Sequence, residues 1–283
     1  MMGIKKLLLW KGVCGLSFFL ILGILGVVWS IQKYAKVEPK CSVPLVQTPN
    51  VAPYFGKKSC PVVGRIGSVK LEIPPYYVSP LMAYKGVDIW DPQSFKNRPK
   101  HPTLDTEIDN FAIRLRLTNF KPVESEKDLQ DVLKIGAQGY LKQPKDNRWF
   151  YAEFRKNNQK YTRKDQLNIW LNSNEPPGGF VRLNNIWGLE HYTSRPRAMW
   201  TGSNLVERDE IFYDAENNST FILCRIVDNS ALAIETTWCE IDYSIPDLNV
   251  FVNADQINYI DEISRWKEIE ENVNKIFRSF VVN

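Results

Sequence analysis

With 283 residues, 44% of them hydrophobic and 24% charged, the chain can bury sizeable cores, which excludes intrinsic disorder. The net charge of +4 is confined to one end: residues 1–33 hold four lysines and no acid, and the other 32 basic residues balance the 32 acids. That balance removes the basic face on which nucleic-acid binding depends.

In chain order, the first feature is Gly12 to Ile31, twenty residues without a charged side chain. As a helix this run rises about 30 Å, the thickness of a bilayer's hydrocarbon core. Lys5, Lys6 and Lys11 precede it, and Trp10 and Trp29 lie near its ends, where indoles favour the membrane interface. A cleaved secretion signal has a shorter apolar region, of about 7–15 residues, and a small-x-small site that is missing here. The sequence therefore predicts a cytoplasmic head and uncleaved transmembrane anchor over 1–32. Three lysines before the span and three after it leave the charge rule undecided, but a short head and a long following domain fit export of the C-terminal part.

Residues 33–60, with four prolines and little periodicity, read as a linker. An exported domain is expected over 61–283, with two similar halves, 61–172 and 178–283, as an allowed arrangement. Residues 63–74, "VGRIGSVKLEIP", read as a strand in which Val69, Leu71 and Ile73 alternate and Gly64 and Gly67 mark a turn or bulge. In "NFAIRLRLTN" (110–119), Phe111, Ile113, Leu115 and Leu117 alternate with Ala112, Arg114, Arg116 and Thr118, a strand with one buried face. Residues 125–139 fit a short helix with Ser125 as N-cap. Residues 147–171 read as two strands around Asn157–Asn158. Beyond the breaker at 172–179, strands are predicted over 180–192, 209–214, 219–227, 231–241 and 248–253, with turns at 214–218 and 228–230. The C-terminus changes period. Ile257, Ile260, Ile263, Trp266, Ile269, Val273, Ile276 and Phe280 fall on one helical face that packs on the sheet. The fold class is thus α+β: one N-terminal transmembrane helix, then a mainly antiparallel sheet domain carrying a C-terminal amphipathic helix.

Of five cysteines, Cys14 lies in the apolar run and Cys41, Cys60, Cys224 and Cys239 follow it. None forms a C-x-x-C pair, and His101 and His191 add no zinc-like spacing, so no metal or other cofactor is expected. Four such cysteines behind an export segment suggest two disulfides in an oxidising compartment. Three connectivities are open, of which the sequential one, Cys41–Cys60 and Cys224–Cys239, is favoured. A tight turn at 228–230 would set Cys224 against residue 234 or 235, leaving Cys239 about 13–17 Å further along. The bond then requires a longer loop through 228–235 or a different strand order.

Zinc-protease, phosphate-loop and nucleophile-elbow patterns are absent from the sequence, and the chain is read as a non-enzyme. In "GLEHY", Glu190 adjoins His191, but adjacent strand residues point to opposite faces, so Glu190 does not orient its neighbour. Residues 142–165 interleave basic and aromatic side chains. Strand parity puts Phe150, Ala152 and Phe154 on the core and Trp149, Tyr151, Glu153 and Arg155 outside. Trp149, Tyr151 and Arg155 have the composition of a protein-interface hot spot and are the candidate partner-binding residues.

The series "GLEHY" (188–192), "DEIFYD" (209–214), "FILCRI" (221–226), "WCEIDY" (238–243), "NVFV" (249–252) and "RWKEIEENVNKIFRSF" (265–280) resembles the C-terminal part of small envelope proteins encoded beside bacterial type VI secretion effectors. "CPVVGRIGSVKLEIP" (60–74) resembles the Cys-x-Gly-Arg-strand-Pro opening of immunity proteins against lipase-type toxins. The resemblance implies a periplasmic α+β protein that neutralises a toxin by binding it. The resulting expectation is a single-pass protein of the bacterial inner membrane. The lipid bilayer and a secreted toxin are its partners, with neither nucleic acid nor small-molecule substrate. A bitopic envelope-assembly or secretion-apparatus component is the alternative.

Overall fold

The computed structural model describes residues 61–282 apart from 89–90, 126, 129, 132–147, 159, 174–175, 177, 200–204, 230–233 and 258–259. The strands among them are β1 Val62–Ile66, β2 Val69–Ile73, β3 Val78–Tyr84, β4 Ile108–Arg116, β5 Trp149–Lys156, β6 Phe180–Arg182, β7 Glu190–Ser194, β8 Arg197–Ala198, β9 Leu205–Tyr213, β10 Phe221–Asn229, β11 Ile234–Ile245 and β12 Val250–Ile257. Two helices are named: α1, Arg163–Leu171, and α2, Trp266–Ser279.

One antiparallel sheet runs β3-β4-β5-β12-β11-β10-β9-β7-β6, with β8 beside β9. Strands from both expected halves share it, because β5 pairs directly with β12. Its core face follows from alternation. Phe111 pairs with Phe154, and Phe154 with Val252, so rows of apolar side chains cross neighbouring strands on one side. α2 lies against this face through Ile269, Val273 and Phe277, all fully buried. The Phe277 ring stacks on Phe154 at 4.8 Å and lies 6.2 Å from Phe111. At its other end, Trp266 Nε1 donates to the Trp187 carbonyl at 3.2 Å, tying α2 to the loop between β6 and β7.

The segment read as one strand over 63–74 is a hairpin, β1–β2, with Gly67 at φ 60° opening its two-residue turn. The C-terminal tail pins this hairpin: Glu72 N donates to the Phe280 carbonyl at 2.8 Å and Val282 N to the Lys70 carbonyl at 3.0 Å. Gly64 lies so close to β4 that a Cβ there would meet Ile108 Cδ1 at 2.6 Å. Ser125 caps its helix as expected, its Oγ accepting from Asp128 N at 3.1 Å.

Two sequence expectations are corrected here. The second strand expected in 147–171 is instead α1. Thr162 and Asp165 form a reciprocal capping box, and Leu167 packs with Tyr192, Ile211, Tyr213 and Phe221 on the outer face of the sheet. Thr162→Ala should cost about 1 kcal/mol of stability, read by chemical denaturation; an unchanged midpoint would show that the cap is dispensable. The fold class is also corrected. No helix among the described residues is long and apolar enough to cross a membrane. The longest named one has 14 residues, about 21 Å, and alternates buried Trp266, Ile269, Val273 and Phe277 with charged side chains. The described fold is a mainly antiparallel sheet with a C-terminal helix. The transmembrane helix expected over 12–31, and its contact with lipid, fall outside the described residues.

Candidate partner-binding face

α2 covers the core face, and the outer apolar cluster under α1 covers β9 and β10. Beyond α1 the outer face over β11, β12, β5 and β4 is polar and aromatic. Strand register assembles it. Asp242 faces Asn253, and Asn253 faces Glu153, across three neighbouring strands. One row on, Arg114 faces Tyr151, and Tyr151 faces Asp255.

A bulge then alters the spacing. Ile241 pairs with Ala254 but Cys239 with Ile257, so Asp255 and Gln256 together oppose Glu240. Gln256 carries φ 65°, a left-handed conformation that costs a non-glycine residue roughly 1 kcal/mol or more. Bulges re-aim side chains. This one turns the Asp255 carboxylate toward β11, where Oδ1 accepts from Trp238 Nε1 at 2.6 Å and from Gln256 N at 2.5 Å. Trp238 is 51% exposed, although it sits within a twelve-residue strand at the middle of the sheet.

Two carboxylates of this face, Asp242 and Asp255, are held by neutral donors. Asp242 accepts from Gln166 Nε2 at 2.9 Å and from Asn253 Nδ2 at 2.8 Å. Among the described residues no ion pair within 4.0 Å reaches Glu153, Glu240, Asp242 or Asp255. Burial raises the pKa of Glu153, Glu240 and Asp255, and neighbouring carboxylates add to each rise; part of it is offset by Arg155 at Glu153, by Asn253 and Arg225 at Glu240, and by the hydrogen bonds from Trp238 and Gln256 at Asp255.

Raised folded-state values mean that the folded protein binds protons at these sites more readily than the unfolded chain. Their contribution to stability is complete below the unfolded carboxyl values of about 4 and is lost as pH rises through the folded ones. Glu153→Gln or Glu240→Gln should therefore stabilise the domain at neutral pH by roughly 0.5–2 kcal/mol and flatten its melting profile from about pH 4 upward. A fall in melting temperature at about pH 7 would show instead that each carboxylate is satisfied in place.

The three residues expected to bind a partner are not grouped. Trp149 is only 5% exposed, with the Arg116 guanidinium 4.8 Å above its ring. Tyr151 is half-buried beneath Arg114 at 4.1 Å and faces Asp255 across β5 and β12. Arg155 is exposed, lies 4.4 Å over Phe251, and lines a separate cleft of about 950 Å³. In that cleft Arg65 and Lys85 both pair with Glu107, at 2.8 and 2.5 Å. Sequence reasoning missed Trp238. Its signal was the adjacent Cys239: a cysteine turned inward leaves the preceding side chain outward.

Cys224 and Cys239 are directly opposed on β10 and β11 and form a disulfide. The register that a tight turn forbids is reached because pairing ends at Asn229 and Ile234, leaving a four-residue connection. Cys41 and Cys60 lie outside the described residues. Glu190 and His191 do point apart. Glu190 takes Arg182 and Tyr192, whereas His191 Nε2 lies 3.1 Å from Glu210 Oε2, its ring stacked on Phe212 at 4.5 Å. Glu210 is also held by Arg208 at 3.2 Å. Among the described residues no group of His, Cys, Asp and Glu could hold a metal ion.

No protein-family model matches the chain, and no curated protein matches it significantly. Among solved structures, it is similar to the immunity protein Smlt3025 of the Stenotrophomonas maltophilia type IV secretion system, at 14% identity and a TM-score of 0.46 over 82% of this chain and 98% of that one. It is also similar to the iron-regulated outer membrane lipoprotein FrpD of Neisseria meningitidis, at 12% identity and a TM-score of 0.45 over 84% of this chain and 98% of that one.

Proposed function

We propose that this chain is an immunity protein that neutralises a secreted antibacterial toxin by binding it, and that it does no chemistry of its own. The observation that carries the binding role is Trp238, half exposed at the centre of a hydrogen-bonded sheet beside half-buried carboxylates. Tryptophan is the side chain most enriched at interface hot spots, and a sheet holds it in place before binding, which lowers the ordering cost of association. The toxin as partner, and its type VI secretion, come from the sequence resemblance to lipase-immunity proteins. The Cys224–Cys239 disulfide supports action in an oxidising, extracytoplasmic compartment such as the periplasm.

The test is co-expression in a bacterial host with the toxin encoded by the adjacent gene, the toxin being directed to the envelope. Survival, together with recovery of a one-to-one complex, is the expected result. Continued killing when both proteins accumulate would count against the proposal.

A further inference from the structure

We propose that Glu270 is a pH-operated clasp between α2 and the connection from β9 to β10. With its proton it completes a chain of three hydrogen bonds ending at Asp214; without it the chain is one bond short.

Thr220, the residue before β10, places its Oγ1 3.1 Å from Glu270 Oε2 on α2. The same Oγ1 lies 3.2 Å from Ser219 Oγ, which in turn lies 2.7 Å from Asp214 Oδ2. Three contacts require three protons, and the two hydroxyls supply two. The third is a carboxyl proton, and the two ends of the chain differ in their claim to it. Asp214 accepts from Asn217 N at 3.3 Å and Asn217 Nδ2 at 3.5 Å besides Ser219, donors that favour its ionised form. Glu270 has Thr220 as its one hydrogen-bond partner among the described residues. The proton therefore sits on Glu270, whose O–H donates to Thr220, Thr220 to Ser219, and Ser219 to Asp214.

The surroundings favour the same state. Thr220 and Tyr243 are fully buried, and Asp214 is 2% exposed. From β11, the Tyr243 hydroxyl is buried without a hydrogen-bond partner, so it does not solvate an ionised Glu270. Burial raises the Glu270 pKa, and Asp214 and Glu271 add to the rise, while the Thr220 hydrogen bond and Lys267 offset part of it. The clasp's contribution to stability is complete below the unfolded glutamate value of about 4.3 and is lost as pH rises through the folded one. Ionisation then sets a second negative charge against Asp214 across the chain. The connection that α2 grips also holds α1, since Asn218 Oδ1 accepts from Lys164 N at 2.9 Å and from the Tyr213 hydroxyl at 2.7 Å. One short turn thus joins the helices on the two faces of the sheet, and Glu270 sets how firmly α2 is held to it.

The experiment is a pH titration of the full chain, 13C-labelled at its glutamate carboxyls, with the Glu270 resonance assigned through Glu270→Gln. Glu270 should keep its acid-form resonance after the exposed Glu216 and Glu271 have titrated. Amide exchange along α2 should quicken as Glu270 ionises. In Glu270→Gln, whose amide donates to Thr220 at every pH, that step should vanish. Ser219→Ala is decisive because Ser219 does not touch Glu270. With Ser219 gone, Thr220 is free to donate to the ionised carboxylate, so the Glu270 midpoint should fall by roughly half a pH unit or more, the worth of one hydrogen bond. The proposal is overturned if Glu270 titrates with the surface glutamates, or if Ser219→Ala leaves its midpoint unmoved or raises it. Amide exchange along α2 that is equal on both sides of the midpoint would also sink it, since Glu270 would then hold a proton without gripping anything. Should Ser219→Ala fail to fold, Glu270→Gln decides: an exchange step that persists in that variant does not belong to Glu270.

Discussion

Phe277→Ala should lower stability by about 3–5 kcal/mol, the usual cost of emptying a buried phenylalanine site. Phe277 is fully buried and meets Phe154 and Phe111, so the cavity would open between α2 and strands β4 and β5. Stacked rings hold fixed positions in a close-packed interior and cannot collapse fully into the space. Against a typical total of about 5–15 kcal/mol, such a loss leaves a marginal fold, and the melting temperature should drop by roughly ten degrees or more. Circular dichroism melts would measure it, with Lys275→Ala on the exposed side of the same helix as control. Equal losses in the two variants would mean that α2 does not anchor the sheet.

That helix was legible in the sequence because its signal is dense. Ile263, Trp266, Ile269 and Val273 repeat at helical spacing, and all four are buried. Phe277 continues the stripe, whereas Ile257 belongs to β12. β4 was equally plain, since Arg114 and Arg116 interrupt Phe111, Ile113 and Leu115 with a period of two. α1 was not. Its buried side chains are Arg163 and Leu167, too few for a stripe, and the surviving local signal was the cap formed by Thr162 and Asp165. The placement of β5 beside β12 was illegible for a different reason. Alternation says which face a side chain occupies, not which strand lies next to it, and that choice joins residues about a hundred positions apart.

The site divides the same way. Parity correctly placed Trp149, Tyr151 and Glu153 on the outer face, yet exposure there depends on what lies above each ring. Arg116 sits on Trp149 because the two are directly opposed across β4 and β5. No pattern within one strand carries that information. The bulge at Asp255–Gln256 is likewise a property of two strands together, so the meeting of Trp238 with Asp255 could not be read from either one.

Trp238→Ala should weaken toxin binding by about 2 kcal/mol or more, roughly thirty-fold, while leaving the fold nearly intact. With half its surface already in water, the indole contributes little to the core, and its removal opens no internal cavity. It does remove the 2.6 Å hydrogen bond to Asp255, whose carboxylate then turns to solvent. Trp149→Ala provides the opposite case. That ring is 5% exposed under Arg116, so its loss should cost several kcal/mol of stability and spare the affinity of the molecules that remain folded. Calorimetric titration of each variant against the toxin, beside a thermal melt of each, separates the two effects. If Trp149→Ala loses affinity at full stability while Trp238→Ala binds normally, the interface lies nearer the β3 edge of the sheet than Trp238, and the carboxylate row is not its centre. If Trp238→Ala instead unfolds the protein, its exposure in isolation conceals a packing role, and the sheet centre is part of the core on both faces.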